Sequence, residues 1–121
     1  MASQAYAAAV AEITRGIVAV SGLAAEAAEP GWVVVHCSSE EMASWLAEAI
    51  SAENVQSRRL GQQLFLPVSD NFRLEEEIKN VITVVAKTSH YWQEHLPAEI
   101  KHTLRLQKWL GRLKYRLFGS R

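Results

Sequence analysis

Apolar side chains at Tyr6, Val10, Ile13, Ile17, Val20 and Ala24 recur at intervals of four, three, four, three and four, the spacing of one face of a helix. The pattern predicts a first helix over residues 4–29, closed by Pro30 and Gly31. Gly16 and Gly22 flank the seam and would let a neighbouring element approach closely, at a cost of about 1 kcal/mol each in helix propensity against alanine. Such a seam packs either on the domain's own sheet or on its twin, so a homodimer through the first helix is one expectation. At Trp32 the helical period stops. Trp32, Val33, Val34 and Val35 form an apolar run without alternation, which predicts a strand over 32–37 covered on both faces.

Ser38 followed three positions later by Glu41 reads as a capping box, and Met42, Trp45, Leu46, Ala49 and Ile50 follow at helical spacing, giving a second helix over about 39–53. Asn54 can take the left-handed conformation that closes a helix. Residues 55–60 and 63–68 flank Gly61-Gln62 as the arms of a hairpin, and Pro67 confines its arm to an edge or a strand end. Ser69, Asp70 and Asn71 offer another cap. Leu74, Ile78, Val81, Ile82 and Val85 then mark a third helix reaching towards Trp92, and Pro97 suits the first turn of a fourth over 97–118. The expected fold is one α/β (α+β) domain spanning 1–121. It has a small three-stranded sheet in a βαββα core at 32–85, packed by the N-terminal helix and two C-terminal helices.

A chain of 121 residues, 49% hydrophobic, has apolar material for one core. Arg15, Glu26 and Glu29 interrupt its most apolar stretch, which therefore falls short of the roughly 18–20 residues that span a bilayer. The opening lacks the basic patch of a targeting signal, and a piece of a longer protein would read the same way. Cys37 is the only cysteine. An internal disulfide and a thiolate zinc site are excluded, and a reducing compartment such as the cytoplasm is expected.

Formal charge is zero, but the zero conceals a division. Residues 1–99 hold all thirteen acidic residues and six basic ones, a net of −7, whereas residues 100–121 hold seven basic residues and no acidic one, a net of +7. Charge separated this sharply marks the end of the chain as an interaction surface.

Chemistry is harder to assemble. Val34-Val35-His36-Cys37-Ser38 has the outline in which cysteine phosphatases present their nucleophile, but Ala43 occupies the place of the arginine that would clamp phosphate, and Glu40 and Glu41 would repel the dianion. Cys37 is accordingly read as structural, although a helix N-terminus can lower a thiol pKa. His90, Glu94, His95 and His102 superficially resemble a metal cluster; His95 is turned about 100° from the face shared by His90 and Glu94, and solvated side chains near a helix junction would give the same letters. Glu75, Glu76 and Glu77 point in different directions and favour a helix N-terminus. Arg58 and Arg59 would face opposite sides of a strand and so make no common anion clamp. No glycine-rich phosphate loop and no serine elbow occurs.

The last predicted helix carries the clearest pattern. At 100° per residue Lys101, Arg105, Lys108, Arg112 and Arg116 fall within about 80° of one another. Leu106, Trp109, Leu110, Leu113 and Leu117 fill the adjoining sector, with Ile100, Leu104, Tyr115 and Phe118 on the other side. The expected partner-binding residues are therefore Lys101, Arg105, Lys108, Trp109, Arg112, Tyr115, Arg116 and Phe118. The function expected is that of a non-enzymatic protein-interaction, regulatory or sorting module, without cofactor or metal, whose basic amphipathic helix meets an acidic protein surface. The same stripe would alternatively serve nucleic-acid binding or attachment to an anionic membrane, and its cations could also be solvated or paired with the acidic body.

Overall fold

The computed structural model describes residues 3–94. The chain divides into two units, Met1–His90 and Tyr91–Arg121, and residues 91–94 are the described part of the second. The described residues form a mixed fold of three helices and a four-stranded antiparallel sheet.

Helix α1 (Gln4–Ser21) starts at Ser3, whose Oγ accepts from the Tyr6 N–H at 3.0 Å. Its buried stripe is Ala9, Ile13, Ile17 and Ser21. The helix ends at Ser21, short of the expected 29, because Gly22 turns left-handed at φ 75° and closes its N–H on the Val18 carbonyl. Ala24 consequently leaves the seam and is exposed, and Val20, still within the helix, is exposed as well. The released residues form β1 (Ala25–Ala27), a strand where the sequence pattern predicts helix. It pairs antiparallel with β2 (Trp32–His36). Between them the Trp32 N–H donates to the Glu29 carbonyl across Pro30-Gly31, with Gly31 at φ 96°, as a type II turn requires. Alanine and glutamate favour helix locally; the left-handed stop and the turn override them.

Helix α2 (Glu40–Ala52) is capped by Ser39, one residue later than expected: its Oγ accepts from the Met42 N–H at 3.1 Å, while the Ser38 hydroxyl meets the Met42 sulfur. Asn54 takes the anticipated left-handed conformation, φ 66°. Strands β3 (Arg58–Leu60) and β4 (Gln63–Pro67) are joined by Gly61-Gln62, with positive φ at Gly61 alone of the two, the pattern of a type II′ hairpin. Ser69 and Asn71 bond to one another in a turn and do not cap the next helix. That helix opens instead as a π-helical turn, Leu74–Ile78, in which the Ile78 N–H reaches the Arg73 carbonyl, and continues as α3 (Lys79–Glu94).

The strand order is β1-β2-β4-β3, one strand more than expected. Val33 and Val35 of β2 stand opposite Leu66 and Leu64 of β4, and all four are sealed from solvent. This face meets the helices. Helix α1 lies against β1, α2 lies against β3 and β4, and Ile13, Ile17, Met42, Leu46, Ile50 and Val85 complete the core. The seam of α1 is thus packed inside its own body. On the opposite face Trp32, His36 and Phe65 are half-buried and Val34 beside them is buried, and among the described residues no helix covers this side of β2. Among the described residues no helix is long and apolar enough to cross a membrane.

Helices α1 and α3 touch at Gly16, where a Cβ would lie 2.8 Å from Cγ1 and 3.2 Å from Cγ2 of Ile82. Gly16→Ala should therefore lower the urea-unfolding free energy by about 1 kcal/mol, the overpacking cost of roughly 1–3 kcal/mol exceeding about 1 kcal/mol of helix propensity. In an Ile82→Ala background the same change should become stabilising. A stabilising Gly16→Ala in the parent chain would show that the helices do not approach so closely.

Candidate functional site

The residues expected to bind a partner, Lys101, Arg105, Lys108, Trp109, Arg112, Tyr115, Arg116 and Phe118, lie outside the described residues, as do His95 and His102. The candidate surface within the described body is the sheet face turned away from the helices. Its middle row runs across all four strands: Glu26 stands opposite Val34, Val34 opposite Phe65, and Phe65 opposite Arg58. Pairing in register puts these four side chains on one face. Trp32 and Pro67 flank the row on one side, and His36, Gln63 and Leu60 on the other. Leu60 is 69% exposed.

Charge on this face is held in defined places. The Arg58 guanidinium lies 4.3 Å from the Trp32 ring centroid, within cation–π range, and Nη2 of Arg58 is 3.7 Å from Oε2 of Glu29. Nε2 of His36 lies 2.8 Å from Oε2 of Glu26. Arg59, on the opposite side of its strand, donates to the Gly61 carbonyl, so the two arginines diverge as the strand period requires. The alternation Gln63-Leu64-Phe65-Leu66-Pro67 was the available signal for this face, since it places leucines inward and Phe65 outward.

A cleft of about 510 Å³ opens beside the Trp32–Pro67 end of the sheet, walled by Trp32, Val55, Phe72 and Val81, with Asn54 and Glu77 on its rim. Glu77 accepts the Arg73 N–H at 2.8 Å, and that bond, with its own N–H and the Arg73 guanidinium, holds its carboxyl below the ordinary carboxylate range. An ionised Glu77 repels anions, and the apolar walls suit an uncharged group. Neighbouring Glu76 pairs with Arg73 at 2.7 Å and Glu75 with Lys79 at 3.9 Å, so the three glutamates go to the start of α3.

Cys37 follows β2, its N–H donating to the Gln62 carbonyl, and its side chain is buried. Burial pushes the thiol from 9.0 up to about 11. The nearby N-terminus of α2 does not offset that desolvation, and the protonated thiol is a poor nucleophile at neutral pH. His90 and Glu94 are exposed, and among the described residues no three candidate ligands converge on a metal position.

The shifted thiol gives a pH dependence of definite sign. The folded state keeps its proton between about 9 and about 11 while the unfolded chain loses it, so this stability is full below pH 9 and is lost as pH rises through 11. The unfolding free-energy gap between the parent and Cys37→Ala should narrow over that window in urea titrations. A gap that stays constant to about pH 11 would mean that the thiol ionises normally in the folded state.

No family model, no curated protein and no solved structure matches this chain.

Proposed function

We propose that the chain is a non-catalytic protein-interaction module, regulatory or sorting in role, that meets an acidic protein surface through the basic amphipathic segment 101–118. The observation that carries this reading is the charge partition, −7 before residue 100 and +7 after it, with five cations at helical spacing. The body supports it in two ways. Its one thiol is buried and held protonated, and the outer sheet face carries the half-buried aromatic side chains Trp32 and Phe65 beside the exposed Leu60, apolar surface of the kind partners use. Acidic side chains of the body are also engaged locally, Glu53 with Lys87 at 2.8 Å and Glu76 with Arg73.

The test is triple charge reversal, Arg105→Glu, Arg112→Glu and Arg116→Glu. Pull-down from source lysate should recover acidic proteins with the parent chain and about tenfold less with the variant, while the unfolding free energy changes by no more than about 1 kcal/mol for each exposed charge reversed. A variant that captures the same proteins equally well removes the basic stripe from the binding surface. Capture abolished by nuclease, or flotation with anionic vesicles, transfers the stripe to nucleic acid or membrane.

A further inference from the structure

The middle row of the open sheet face reads, from one edge to the other, acidic, apolar, aromatic, basic: Glu26, Val34, Phe65, Arg58. Such a row is complementary to its own reverse. When a second copy is turned by a two-fold axis parallel to the strands, β1 of one protomer comes to lie over β3 of the other, and β2 over β4. Glu26 then faces Arg58 at both ends, and Val34 faces Phe65 twice in the middle. A two-fold axis across the strands would instead set Glu26 against Glu26 and Arg58 against Arg58. The charges therefore select one of the two ways in which identical sheets can stack.

The geometry points to a symmetric dimer of this chain in which two open sheet faces stack about an axis parallel to the strands, with reciprocal Glu26–Arg58 pairs closing its two sides. Sheets packed face to face keep their strands within about 30° of one another and about 10 Å apart, which lets Val34, Phe65 and the neighbouring Trp32 interdigitate. Leu60, 69% exposed at the edge, gains apolar cover. Four strands about 4.8 Å apart, two of five residues and two of three at about 3.3 Å each, make a face about 19 Å wide, about 17 Å long at its centre and about 10 Å at its edges. That is below the ~800 Å² per partner of a standard interface, so the association is weak and concentration-dependent. Nucleic acid is the poorer occupant, because Glu26 and Glu29 would meet its phosphates. The dimer does not use the seam of α1, and it stands whatever the basic segment binds.

Sedimentation equilibrium of the full chain from about 1 μM to about 1 mM covers the range in which a weak interface populates both states. The parent should shift from monomer to dimer. Glu26→Arg alone and Arg58→Glu alone should each raise the dissociation constant about tenfold or more. Mixing the two variants should restore dimer, since the cation introduced at position 26 of one chain then faces the acid introduced at position 58 of the other. Phe65→Ser should remove the dimer. Glu26→Arg removes the pair with His36 inside its own protomer and Arg58→Glu removes the Trp32 stack and the Glu29 pair, so circular dichroism and melting temperature monitor folding and recovery on mixing is the deciding readout. A parent chain that stays monomeric throughout, whether the face is then covered by its own residues 100–118 or by another protein, overturns the proposal. So does a dimer that both charge reversals leave intact, or single variants that weaken it and fail to recover on mixing.

Discussion

Two short hairpins, 25–36 and 58–67, become a sheet through the ladder between β2 and β4, and everything else in the body leans on that ladder. Each hairpin has a three-residue arm and would be marginal in water by itself. Setting Val33 against Leu66 and Val35 against Leu64 puts four apolar side chains on one face and supplies the floor on which α1 and α2 bury their stripes. A slip of one residue would turn that set to the outer face and bring Trp32, Val34 and Phe65 inward, so the register decides at once what is core and what is surface. Beside that floor α1 and α3 approach closely at Gly16, where Ile82 leaves no room for a side chain.

Features set by two or three adjacent residues were legible in the sequence. The positive φ of Asn54, the Gly61-Gln62 hairpin turn, the second helix and the apolar marks of the third all follow from local steric and periodic rules. Strand β1 was not legible, because Ala25-Glu26-Ala27 has the composition of helix and becomes strand only when β2 offers its edge. Ser38 and Ser39 are chemically equivalent caps, and the chain chose the second. The π-helical opening of α3 has no signature in Leu74-Glu75-Glu76-Glu77-Ile78. For the candidate surface, the valine run of β2 suggested cover on both sides, whereas the alternation in β4 carried the correct information. The difference is that Val33 and Val35 face the helices whereas Val34, beside Trp32 and Phe65 on the outer face, is buried although no described helix packs on that face.

Electrostatics in the body is mostly local. Arg73 serves Glu76 and the start of α3, Lys87 on α3 reaches Glu53 just past α2, and Arg58 is drawn towards Trp32 and Glu29. Exposed pairs of this kind contribute little to stability and much to where charge sits. Cys37 shows the complementary principle: the end of the same strand that presents Trp32 and His36 outward turns its thiol inward, and burial alone sets its protonation state.

The two outermost strands also govern what kind of self-association the body can undergo. Both β1 and β3 are three residues long, so a further strand added to either edge would find few backbone partners, and β3 carries Arg58 and Arg59 exposed on its two faces. Edge-to-edge growth has no natural end and leads towards fibres, whereas contact between faces consumes the surface on which it depends. Edges this short make open-ended polymerisation of the sheet unfavourable.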